Sequence, residues 1–347
     1  MRVIFHIGAH KTGTTSLQDY LYNNSRYFND EHGLLYPVVD SIGFARNHTD
    51  LTAGLLLEES RLGRMVTSRI LKSKLANRFE FYDEYVHAIR QQLSEFKHVN
   101  TLVLSSEAFF DKADFFNWEK LWKDLGIASE NVEFILYLRH PSEHYLSLIQ
   151  QRLKYSSSFK HPSSVPFKNV IKSYSNLFQG RIQVRILEQV KDTVTDLLNI
   201  VNVSLDSALV QEPERKNESF SAEAMLLLQN YRSMFMPNSD NVVCPHGRKI
   251  LDVVRQADNL IEGKEKPRLM PSVYNQILDD SSEDIAWLKS FIGQDDCQWS
   301  KASNNADSME FSSSSRANLK VSDICFVDYE RYNYLSLQAL KNSIKQR

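Results

Sequence analysis

The sequence predicts an α/β fold, with a mainly parallel central sheet flanked by helices and a helical C-terminal cap. The first observation behind this is a set of short runs, residues 2–7, 101–106, 132–138 and 182–188, several of them apolar nearly throughout instead of alternating. Strands buried on both faces have that composition. The second is the helical spacing of residues 16–28, 65–96, 142–155 and 192–201, which places a helical segment between successive strands and so favours parallel pairing. The third is the loss of strand signal after about residue 209, where 221–232, 249–261, 273–278 and 285–292 read as helices.

Composition bounds the function classes. The chain has 347 residues, 42% hydrophobic and 24% charged, enough for a sizeable core and unlike a disordered or collagen-like chain. With 41 basic and 43 acidic side chains its formal net charge is -2, which argues against coating nucleic acid by bulk electrostatics, so no nucleic-acid partner is expected. Cys244, Cys297 and Cys325 are odd in number, far apart and without metal-ligand spacing. They encode neither a disulfide framework nor a zinc site, and a reducing, cytoplasmic setting is expected. No apolar run approaches the roughly 18 residues of a spanning helix, so no transmembrane segment is expected. The opening apolar stretch is interrupted by His6 and enters a glycine-containing loop, which reads as a strand and not as a signal peptide. Residues 300–320, rich in Ser and Asn, read as a flexible polar linker, and 321–347 as a tail with enough aromatics to dock. The oligomeric state is not encoded.

The loop after the first strand carries the strongest chemical signal. Gly8 to Ser16 reads GAHKTGTTS between a strand and a helix, where a glycine-containing turn offers backbone N–H groups and a helix N-terminus to a phosphate. Gly8 and Gly13 have the spacing of a nucleotide-triphosphate loop, yet Thr14 stands where that loop has its lysine. The lysine is displaced to Lys11, inside the turn, which implies a ligand with a shorter anionic chain. The alternative reading is an ordinary tight turn with Thr15 or Ser16 capping the helix.

The motif HKTGTTSLQ, containing His10, Lys11, Thr12, Gly13, Thr14, Thr15 and Ser16, resembles the 5′-phosphosulfate loop of sulfotransferases that use 3′-phosphoadenosine 5′-phosphosulfate. A second segment, FILYLRHPSEHYLSLIQQRLK, resembles the 3′-phosphate motif of the same family: Arg139 ends a strand, Pro141 opens a helix and Ser147 lies eight positions after the arginine. His140 stands for the family's Asn and His144 for a frequent Arg. A guanidinium fork and a hydroxyl suit a terminal phosphate through charge-assisted hydrogen bonds. Weaker similarity extends over residues 184–203 and 215–232; in the latter, Arg215 and Lys216 precede a helix capped by Ser221 and read either as a lid over the nucleotide or as a solvated capped loop. The resemblance implies a sulfotransferase domain over residues 1–299, with the α/β core to about 210 and the cap over 211–299. It also implies metal-free transfer to a hydroxyl of a carbohydrate or glycolipid acceptor.

Such a transfer needs a base near the acceptor hydroxyl and positive charge near the leaving oxygen. Lys11 and the loop amides suit the second role. For the base, Glu107 closes the strand at 101–106, facing the crevice where α/β proteins bind ligands, and His48 is the rival. Tyr36, Gln150, Gln151, Arg152 and Lys154 are candidates for an acceptor groove. Two other classes remain open on the residues alone: a kinase or nucleotide hydrolase with Glu107 beside a metal, and a catalytically silent nucleotide-binding scaffold.

Overall fold

The computed structural model of the chain describes residues 1–9, 11–42, 46–96, 98–110, 113–162, 166–204, 219–237, 244–293, 297–301 and 319–345. His10, Arg215, Lys216 and most of the expected linker lie outside these residues. The elements run β1 Arg2–His6, α1 Thr14–Asn23, α2 Ser25–His32, β2 Leu34–Leu35, α3 Thr52–Leu55, α4 Arg64–Ser73, α5 Arg78–Glu95, β3 Thr101–Ser105, α6 Trp118–Leu125 and β4 Val132–Leu138. They continue with α7 Pro141–Leu153, α8 Phe167–Leu177, β5 Ile182–Ile186, α9 Thr193–Ile200, α10 Ala222–Phe235, α11 Pro245–Asn259, α12 Pro271–Asp280, α13 Ser282–Ile292 and α14 Tyr329–Lys345. Among the described residues no helix is long and apolar enough to cross a membrane.

The chain divides into two compact units. The first, residues 1–139, 166–216 and 288–297, holds the whole sheet, whose five strands are all parallel in the order β2-β3-β1-β4-β5. Alternate residues serve its two faces. Ile4, Val103, Ile135 and Tyr137 pack with Leu17 and Leu21 of α1, Phe28 of α2, and Leu197 and Leu198 of α9. On the other face Phe5 meets Phe109 edge-on at 4.9 Å and Phe134 lies 4.3 Å from Phe178, with Trp118 stacked on Trp122 at 5.6 Å. Both faces are therefore apolar over the inner strands, which is why β1, β3 and β4 show little alternation in sequence, whereas the edge strand β5 alternates.

The second unit, residues 140–165, 217–287 and 298–347, is helical. Leu146, Ile149 and Leu153 of α7, Met225 and Leu228 of α10, Val254 and Ala257 of α11, and Val273 and Ile277 of α12 form its core together with Ile324 and Leu335. The C-terminal tail thus contributes α14 and its buried Leu335 to this core.

Two expected helices are broken, each for a local reason. The segment 16–28 divides at Asn24, which leaves the helical region at φ -111° and ψ 13° while both its backbone N–H, at 3.1 Å, and its side-chain amide, at 3.0 Å, donate to the Tyr20 carbonyl. The segment 65–96 divides at Lys74, in the left-handed region at φ 63°, and restarts at Asn77, which caps α5 by accepting from the N–H groups of Phe79 and Glu80. The strand β2, only two residues long, went unrecognised in the sequence.

Gly54 of α3 lies flat against the Tyr82 ring of α5, and an added Cβ would fall 2.5 Å from Tyr82 Cδ1 and 2.6 Å from its Cβ. Gly54→Ala is expected to destabilise the first unit by about 1–3 kcal/mol through overpacking, read as a lowered urea midpoint with an unchanged slope.

Candidate functional site at the carboxyl edge of the sheet

In a parallel sheet every strand delivers its following residues to the same edge, so the loops after β1, β3 and β4 converge there. After β1 the chain passes through Gly8 and Lys11, which holds φ 68°, to Gly13, the N-cap of α1 at φ 83°. Gly13 has no side chain to cap the helix, and no side chain caps it otherwise; Thr15 and Ser16 are exposed in the first turn. The expectation that Thr15 or Ser16 might cap α1 is therefore not met, because a glycine in the left-handed conformation occupies that position. The backbone N–H groups of Thr14, Thr15 and Ser16 have no intrahelical acceptor. Thr12 and Thr14 turn inward instead: Thr12 Oγ1 donates to the Ala9 carbonyl at 2.7 Å, and both side chains are buried.

Arg139, directly after β4, donates from Nη1 to the Lys11 carbonyl at 3.4 Å, tying the strand end to the loop. Glu107 opens a single 3-10 turn, Glu107–Phe109. That turn is held at one end by Ser106 Oγ, which accepts from Ala108 N at 3.1 Å, and at the other by the Phe109 carbonyl, which accepts from Tyr174 Oη at 2.5 Å. The three side chains form one electrostatic group. Partial burial depresses the Lys11 ammonium pKa, the Glu107 carboxylate opposes that shift and the Arg139 guanidinium adds to it. Lys11, Glu107 and Arg139 are each partly exposed.

His48 belongs to a different arrangement. Its side chain has no exposed surface, its Nδ1 accepts from Ser105 N at 2.9 Å, and Nε2 donates to the Pro37 carbonyl at 3.1 Å. The backbone N–H of His48 donates to the Ser105 carbonyl at 2.9 Å, so the residue clasps the segment after β2 onto the end of β3. Burial pushes its pKa down to about 4. Tyr36, a candidate for an acceptor groove, is likewise fully buried, donating to the Arg46 carbonyl at 2.7 Å.

Ser147, Gln150, Gln151, Arg152 and Lys154 lie on or just beyond α7, in the second unit. There Ser147 is half-buried, and Gln150 Oε1 accepts from Ser219 Oγ at 3.0 Å and Phe220 N at 3.2 Å. His140 caps α7, accepting at Nδ1 from Ser142 N at 3.3 Å, while its ring stacks on Tyr274.

One residue of the carboxyl edge escaped the sequence reading. His6, the last residue of β1, is fully buried, with Nδ1 2.8 Å from Ser105 Oγ, and burial holds its pKa down at about 4 against the pull of Glu107. The signal was present as a lone polar side chain inside an apolar strand, immediately before the glycine loop.

The class defined by these features is an α/β protein with an all-parallel five-stranded sheet and an uncapped helix N-terminus flanked by cations at its carboxyl edge. The chain matches no family model, no curated protein and no solved structure.

His6 and His48 are held neutral in the fold, whereas an unfolded histidine titrates near 6.5. Between about pH 6.5 and 4 the unfolded chain binds more protons, so acid removes stability over that window. Each histidine is expected to cost about 2 kcal/mol between pH 7.5 and pH 5. Urea titrations at the two pH values should show this loss, and His48→Gln should lower stability at both while reducing the difference between them.

Proposed function

We propose that the chain is a sulfotransferase that moves the sulfuryl group of 3′-phosphoadenosine 5′-phosphosulfate to a hydroxyl of a carbohydrate or glycolipid. The observation that carries this reading is the glycine-capped N-terminus of α1, with its free N–H groups, beside Lys11 and Arg139 at the strand edge. A helix terminus of this kind favours an anion, and Lys11 and Gly13 both hold the left-handed conformation just before it. The resemblance of residues 8–16 and 134–147 to the two phosphate motifs of that family supports the particular donor.

On this reading the acceptor oxygen attacks sulfur, the bond from sulfur to the 5′-phosphate oxygen breaks, and adenosine 3′,5′-bisphosphate leaves. Lys11 and the N–H groups of the first turn stabilise the charge that grows on the departing oxygen. Glu107 takes the acceptor proton: its carboxylate is partly exposed at the edge beside Lys11, while both ring nitrogens of His48 are engaged by backbone groups. The resemblance assigns the 3′-phosphate to Arg139 and Ser147 and a lid role to Arg215 and Lys216, which lie outside the described residues.

Calorimetry should find adenosine 3′,5′-bisphosphate bound more tightly than adenosine 5′-monophosphate or ATP with Mg²⁺. Arg139→Ala should remove that advantage, a loss of about 1.5–3 kcal/mol for a charge-assisted contact. Equal binding of ATP with Mg²⁺ would favour a kinase or nucleotide hydrolase, and tight bisphosphate binding without sulfate transfer to any glycan would favour a silent scaffold.

Sulfate transfer from labelled donor into glycan fractions separates the catalytic roles. Glu107→Gln should lower turnover by about 10²-fold or more with nucleotide affinity nearly unchanged, and Lys11→Ala should lower turnover more than product affinity. An inactive, folded His48→Asn beside an active Glu107→Gln would transfer the base role to the histidine.

A further inference from the structure

Arg232 of α10, in the helical unit, is a buried cation with no carboxylate partner among the described residues. The residue is 1% exposed; Nη2 donates to the Lys154 carbonyl, Nη1 reaches the Met236 sulfur at 3.9 Å, and Nε is buried with no hydrogen bond. Among the described residues the ionisable groups that act on it are the Cys244 thiol and the Tyr155 hydroxyl, and burial depresses its pKa against their pull. A charge taken out of water and left without an opposite charge is a costly group for a fold to keep.

Cys244 lies across Gly247 from this guanidinium. A Cβ built on Gly247 would sit 3.0 Å from Arg232 Nη2 and 3.3 Å from Cys244 Sγ, so the cation and the sulfur flank a position that a side chain would crowd. The same sulfur caps α11, a helix of 15 residues, by accepting from Gly247 N at 3.3 Å. No acidic side chain stands in the first turn of α11. A helix terminus and a buried guanidinium therefore present positive potential to one sulfur atom. Cys244 is half-buried and within reach of a small reagent, whereas Cys297 and Cys325 are buried, and burial pushes the Cys325 thiol up to about 12.

We propose that Cys244 is an oxidation site for hydroperoxides, and that its sulfinate is the anion the Arg232 guanidinium lacks. In the first step the sulfur attacks one peroxide oxygen: an S–O bond forms, the O–O bond breaks, and the thiol proton leaves with the departing oxygen as water or an alcohol. Sulfur loses two electrons and the peroxide gains them. A second hydroperoxide repeats the step on the sulfenic acid, and the resulting sulfinic acid gives its proton to solvent. The added oxygens are acceptors for the Gly247 N–H and for the guanidinium, and their charge answers the buried cation. Oxidation here strengthens the junction of α10 with α11, the reverse of what a new polar group does in an apolar core.

Hydrogen peroxide supplies the test. Added to the full chain, it should place two oxygens on Cys244, located by peptide mass mapping, while Cys297 and Cys325 remain thiols. The oxidised chain should then show a higher urea midpoint than the reduced one, equivalent to a folding constant raised about tenfold. A Cys244→Ser chain treated alike removes methionine oxidation from that comparison. In Arg232→Met the gain should disappear. A second pair of variants asks the same question without an oxidant: Asp and Asn are comparable helix caps, yet Cys244→Asp should exceed Cys244→Asn by about tenfold in folding constant, more than a helix terminus alone supplies. Peroxide that leaves Cys244 a thiol overturns the site. A midpoint that falls on oxidation of Cys244, or a rise that survives Arg232→Met, overturns the pairing. If Arg232→Met does not fold, the unsubstituted chain and the Asp and Asn variants decide the matter, and equal stability of those two variants refutes the proposal.

Discussion

The central strand β1 is enclosed on all four sides, hydrogen-bonded to β3 and β4 at its edges and covered by apolar side chains on both faces. That enclosure governs what the rest of the first unit can do. Along the length of the strand there is no room for an unpaired polar group, so solvent-facing chemistry is displaced to the carboxyl edge, where β1, β3 and β4 release Lys11, Glu107 and Arg139. The polar side chain that β1 keeps in its interior layer, His6, sits at the last possible position and spends one nitrogen on Ser105.

The edge is shaped by what the backbone does not satisfy internally. Helices α5, α6, α9, α10 and α11 each begin with a side chain that accepts from their first-turn N–H groups: Asn77, Asn117, Asp192, Ser221 and Cys244. Helix α1 begins with Gly13 and keeps its donors. Arg139 is tied to the Lys11 carbonyl, and the Lys11 ammonium feels both the Arg139 guanidinium and the opposing Glu107 carboxylate, in a protein whose net charge is close to balance.

The parts of this arrangement legible in the sequence were those set by local chemistry. The four longer strands declared themselves through short runs, several of them apolar nearly throughout, and the loop through glycines placed between strand and helix. Helical spacing continued across Asn24 and Asn77, and periodicity alone does not register the backbone turn at the one or the capping side chain at the other. Burial was the quantity the sequence could not supply. Tyr36 and His48 read as site residues by their chemistry, and only the clasp between Pro37, His48 and Ser105 shows that their polar atoms are spent on the backbone. The bond between His6 and Ser105, 99 residues away, is encoded in no local pattern.

That long reach has a kinetic side. The first strand pairs with residues 101–105 and 132–138, and Arg2 is held by Glu133 across a separation of 131 residues. Its two apolar faces and both hydrogen-bonding edges stay unpaired until well over a third of the chain has been made. Closing loops of that length comes before the contacts that reward it, so nucleation on local helices followed by late insertion of β1 is the natural order of assembly. The loop after β1, being the continuation of that strand, takes its shape at the end of folding, and a nascent chain displays the apolar Val3, Ile4 and Phe5 to its surroundings for as long as that takes.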